Sequence, residues 1–98
     1  MCHCVECRRW HGHVSAMASA PREALRFVAD GRLRWIDSPE SDAHARRGFC
    51  GECGSSLFWD APDRDTVSIS AGALELPTGL RTSRHIYTEQ ASDYYELD

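Results

Sequence analysis

The sequence predicts an all-β domain. Three observations lead there. Short segments of alternating apolar and polar residues recur along the chain, each bounded by Gly, Pro, Asp or Ser. No long helical pattern follows either of the two cysteine motifs. The chain is 98 residues with 42% hydrophobic residues, which suits a single domain over residues 1–98 with one modest core. Domains this small often need a metal or disulfides to complete what the core supplies.

Taken in order, residues 10–20, "WHGHVSAMASA", read as an extended segment with His11 and His13 on one face. Residues 21–25, "PREAL", predict one helical turn opened by Pro21. Residues 25–36 predict a hairpin: Leu25 and Phe27 alternate before Asp30-Gly31, and Leu33 and Trp35 after it. Residues 37–45 are polar, carry Pro39 and read as a solvent loop. Strands follow at "RRGFC" (46–50), "SSLFWD" (55–60) and "TVSIS" (66–70), with "APDRD" as the turn between the last two. Residues 73–83 read as loop, "RHIYTEQ" (84–90) as a final strand, and the rest as an aromatic, acidic tail.

The chemistry concentrates in five cysteines in two clusters, Cys2-x-Cys4-x-x-Cys7 and Cys50-Gly51-Glu52-Cys53. Each C-x-x-C puts two sulfurs on one tight turn, close enough to share a tetrahedral ion, and Gly51 and Gly54 suit such a turn. A redox C-x-x-C would sit in a βαβ context, which neither motif has. Zinc ligation is the reading that remains. A closed site takes four protein ligands and an open one three. Spacing alone leaves two solutions: one site from Cys4, Cys7, Cys50 and Cys53, or an open site from Cys2, Cys4 and Cys7 with Cys50 and Cys53 as half of another.

The segments "CHCVECRRWHG", "RRGFCGECGSSLFW" and "SISAGALELPTGLRTSRHIY" resemble the glutathione-dependent formaldehyde-activating enzyme family, also called the centromere protein V family. The resemblance covers nearly the whole chain. It implies a zinc-pinned antiparallel β-tent, with Cys2, Cys4 and Cys7 as the open, catalytic zinc ligands. It also implies that Cys50 and Cys53 form half of a structural site, completed in the family by a C-x-C-G on an earlier strand. That strand has no counterpart here, so the chain reads as N-terminally shortened.

The function implied is that of a carbon–sulfur lyase acting on an adduct between a carbonyl and a small thiol such as glutathione. The alternative is a zinc-stabilised binding module without activity. Arg8, Arg9 and Arg47 are candidates to receive the carboxylates of a peptide-like thiol. His11, His13 and His85 are candidates to shuttle protons or support ligands. Net charge of −4 disfavours nucleic acid, no apolar run approaches a membrane span, and no signal peptide precedes Cys2. A cytoplasmic location follows. A homodimer through an edge strand, "TVSIS" or "RHIY", is expected from the strands the family has and this chain lacks.

Overall fold

The structure is a computed structural model and describes residues 1–38 and 44–97. Backbone contacts group the chain into two compact units. The first joins Met1–Ala16 to Glu75–Asp98, and the second is the continuous segment Met17–Leu74.

The second unit is an antiparallel sheet of β1 (Met17–Pro21), β2 (Leu33–Asp37), β3 (Arg46–Cys50), β4 (Ser56–Asp60) and β5 (Thr66–Ser70), in the order β1-β5-β4-β3-β2. The predicted strands at 46–50, 55–60 and 66–70 are therefore present to within a residue. The predicted turn after Pro21 is the 3-10 helix Arg22–Ala24. Pro21 ends β1, an edge strand, where its missing N–H costs little.

Side chains explain the register. Trp35, Gly48 and Phe58 stand opposite one another across β2, β3 and β4. The Trp35 and Phe58 rings stack at 5.9 Å between centroids over the glycine. A Cβ at Gly48 would lie 3.0 Å from Trp35 and 3.1 Å from Phe58, so this position has no room for a side chain. Arg46 lies over the Trp35 ring at 3.9 Å. Asp60 is buried and accepts from Arg22 at 2.5 Å and from Arg46 at 3.2 Å.

Four expectations are corrected. The chain is not all-β: Val5–His11 in the first unit is an α-helix, α1. The architecture is mixed α/β, and its sheet is open, with β1 and β2 as edges, rather than a closed tent. α1 forms because its ends are well capped. The Cys4 sulfur accepts from the Cys7 N–H, Glu6 stands in the first turn, and Arg8, Arg9 and His11 stand in the last. Gly12 ends it at φ +79, donating to the Arg8 carbonyl.

Second, the hairpin over residues 25–36 lacks its first arm. The turn exists, with Leu33 N–H donating to the Asp30 carbonyl, but β2 pairs with β3 instead. Phe27 packs edge-on against Phe58 rather than joining a ladder. Third, "RHIYTEQ" is no strand. Ile86 makes a single parallel bridge to Cys2, Tyr87 has φ +54, and Thr88–Gln90 is a 3-10 turn. Fourth, β5 lies between β1 and β4, so neither segment invoked for dimerisation is a free edge strand. Of the predicted solvent loop, residues 39–43 lie outside the described residues.

Candidate metal centre

Cys2, Cys4 and Cys7 come together in the first unit, with their sulfurs all within 4.8 Å of one another. Local structure places each one. Cys2 pairs with Ser15 through N–H donation at 2.8 Å and acceptance at 2.9 Å. Cys4 is extended at φ −65, ψ 156 and caps α1. Cys7 lies in the first turn of α1 and is buried. The capping contact, Cys7 N–H to Cys4 Sγ at 3.3 Å, holds the last two together. Among the described residues this is the one set of three or more Cys, His, Asp or Glu with clustered ligand atoms.

The donor set fits zinc. Zn–S bonds of about 2.3 Å in a tetrahedron put sulfurs roughly 3.8 Å apart, and the observed spread accommodates that. The electrostatics agree. The Cys2 thiol is pushed well above the ordinary thiol range, first by its hydrogen bond with Cys7 and then by burial. The Cys4 thiol is pushed up by burial foremost. The crowded, half-shielded thiols of Cys2 and Cys4 resist ionisation, and a dication among the sulfurs would reverse that balance.

His3, between two of these cysteines, is 1% exposed and, among the described residues, the largest of the fully buried side chains. Its Nδ1 shares a 2.6 Å hydrogen bond with the Tyr95 hydroxyl, and its Nε2 a 2.9 Å hydrogen bond with His85 Nδ1. Burial, and after it the nearby charge of His85, lowers its pKa. His13 is exposed and bonds to the Tyr94 hydroxyl through Nδ1. His11 ends α1. The sequence marked His85 and His13 as candidates but left His3 aside, and it treated Tyr94 and Tyr95 as mere tail. Two adjacent aromatics in an otherwise acidic terminus were the available signal.

Arg8 and Arg9 lie on α1, Arg9 exposed and Arg8 partly buried. Arg8 Nε is shielded from solvent and has no hydrogen-bond partner. Arg47 is 5% exposed on β3, so it is a component of the second unit's interior rather than a surface group awaiting a carboxylate.

Cys50 and Cys53 stand in the second unit, at the turn joining β3 to β4. The turn closes through Cys50 N–H to the Ser55 carbonyl at 2.9 Å and Gly54 N–H to the Cys50 carbonyl at 2.7 Å. Cys53 is exposed, with its sulfur 3.1 Å from Ser55 Oγ, and this contact holds its thiol below the usual range. The five cysteines form no disulfide. No helix among the described residues is long and apolar enough to cross a membrane.

The family model described as glutathione-dependent formaldehyde-activating enzyme matches residues 1–90. No curated protein and no solved structure gives a significant match.

Proposed function

The chain belongs to the glutathione-dependent formaldehyde-activating enzyme family, and on that premise we propose that it is a zinc-dependent carbon–sulfur lyase. Its substrate is the adduct of a small thiol, glutathione in class, with a carbonyl compound such as formaldehyde. The observation that carries the reading is the convergence of the Cys2, Cys4 and Cys7 sulfurs within 4.8 Å. Three protein ligands leave a fourth position open, which is the hallmark of catalytic rather than structural zinc. Bound there, zinc supplies a soft cation that favours the thiolate form of an incoming thiol.

The reaction balances without a redox partner. In the condensing direction the substrate sulfur forms a bond to the carbonyl carbon, and the thiol proton ends on the carbonyl oxygen. In the lyase direction that C–S bond breaks and the proton returns to sulfur. The protein's share is to hold three sulfurs in place and to orient the substrate. Arg8 is suited to the second task, since its unpartnered Nε would be satisfied by a carboxylate. Cys50 and Cys53 enter the reading as a structural pair of metal ligands at the β3–β4 turn, outside the reaction. The location proposed is the cytoplasm, in keeping with five cysteines and no disulfide.

Elemental analysis and cobalt substitution test the proposal. Zinc should co-purify, with a second equivalent if Cys50 and Cys53 also hold metal. Cobalt in its place should show sulfur-to-metal charge transfer, and added glutathione should shift the ligand-field bands. Formaldehyde should be released from S-hydroxymethylglutathione. Zinc that binds with no response to glutathione and no turnover would leave a metal that only holds the fold. Absence of zinc from native protein would sink the reading altogether.

A further inference from the structure

We propose that Tyr95, acting through the buried ring of His3, is a positioning residue for the sulfur cluster, and that residues 84–95 form a strap that sets its geometry. The inference rests on the metal reading above and asks what keeps three sulfurs convergent. Cys2 and Cys4 flank His3, and in extended backbone alternate side chains point to opposite sides. Fixing the His3 ring on one side therefore fixes where the two sulfurs stand on the other.

The strap makes that fixation. Met1 N donates to the Arg84 carbonyl at 3.1 Å and Ile86 N–H to the Met1 carbonyl at 2.9 Å. His3 N–H donates to the Ile86 carbonyl at 3.1 Å, and Val5 N–H to Gln90 Oε1 at 2.9 Å. The backbone on both sides of Cys2 and Cys4 is thus tied to one segment. Both His3 nitrogens are also bound by side chains of that segment, Tyr95 and His85. Either the Tyr95 hydroxyl donates to Nδ1 and the Nε2–H of His3 donates to His85, or both directions reverse. In each case a neutral imidazole is satisfied at both nitrogens. A ring bound at both ends and shut off from water has no alternative partner and one orientation.

Tyr95 is itself held, 5.0 Å from the His13 ring and 4.9 Å from the Tyr94 ring between centroids. Tyr94 and Tyr95 lie past residue 90, where the family match ends. A hydrophobic filler would serve packing equally well. The hydroxyl at hydrogen-bond distance from Nδ1 is what distinguishes positioning from filling.

The test is Tyr95→Phe, which removes one hydroxyl and keeps the ring. Cobalt affinity by chelator competition should fall about tenfold, the range seen when groups behind metal ligands are removed. The charge-transfer spectrum should change as well. Asp63→Asn, at an exposed position of the second unit, should leave both unaltered. In metal-free protein, iodoacetamide should alkylate Cys2 and Cys4 several-fold faster in Tyr95→Phe than in wild type, mapped by mass spectrometry. On the other nitrogen, His85→Ala should reproduce the loss, and His85→Asn, whose amide can occupy the place of Nδ1, should recover part of it. Unchanged affinity, spectrum and alkylation in Tyr95→Phe would overturn the proposal, as would a His85→Asn no better than His85→Ala. Should wild type take up no cobalt, the zinc reading fails, and the alkylation rates alone decide the strap: faster in the variant supports it, equal rates overturn it.

Discussion

On the function proposed above, the unpartnered guanidinium nitrogen of Arg8 is the residue-scale feature that bears on substrate binding. Leaving a shielded N–H unsatisfied costs on the order of 1–3 kcal/mol. Arg8 Nε carries that cost in the free protein, and a carboxylate of a peptide-like thiol would remove it. Arg8→Gln should therefore raise KM about tenfold while kcat stays near wild type, because the lost contact binds ground state and transition state alike. Steady-state kinetics on the glutathione adduct check this; a fall in kcat at constant KM would move Arg8 to another role. The sequence pointed to Arg8 and Arg47 with equal weight. What separates them is burial within β3, which a lone arginine in a short strand does not announce. His3 shows the opposite failure. Between two cysteines it looked incidental, and its importance comes from partners 82 and 92 residues away.

Among the elements, β4 ends on the group most exposed to pH. Burial raises the Asp60 carboxyl, but hydrogen bonds from Arg22 and Arg46 and their charges outweigh it and leave the group below the ordinary carboxylate range. A depressed folded value stabilises above the unfolded value of about 4 and loses that contribution as pH falls through the lower folded value. Both arginines are partly exposed, which discounts the pairs. Asp60→Asn should still cost about 2 kcal/mol at neutral pH, or roughly 10 °C in melting temperature. Its stability should also vary less than that of wild type between neutral pH and pH 3. Urea melts at several pH values check both, and parallel curves would remove Asp60 from the acid response. The strands around it were legible because "RRGFC", "SSLFWD" and "TVSIS" alternate or carry aromatics between turn residues. α1 was not, because two turns are too short to establish a period, and its capping sulfur reads in sequence as a ligand only. The missing hairpin arm was not legible either: β2 pairs with β3, whose Gly48 admits the Trp35 ring, and its other side stays an edge, while Phe27 packs on Phe58 instead of extending the ladder.

At the scale of the molecule, the resemblance carried the family and the first cysteine cluster, but not the architecture around them. A family motif specifies chemistry at a few positions, whereas sheet closure depends on every strand present. The first unit is made from both ends of the chain, with the second unit lying wholly between them in sequence. That arrangement fixes an order in time. On the ribosome Cys2, Cys4 and Cys7 emerge before the five strands, yet Ile86, Gln90 and Tyr95 emerge only after those strands have been synthesised. Joining such distant segments also carries the larger loop-closure entropy, so refolding should follow the same sequence as synthesis. Pulse-labelled hydrogen exchange should find amides of β3 and β4 protected in an earlier phase than those of Cys2, His3 and Ile86; a single shared phase would refute that order. Throughout the interval the nascent chain displays the thiols of Cys2, Cys4 and Cys7 without their strap, at the moment when a chaperone, an oxidant or a competing metal has the freest access to them.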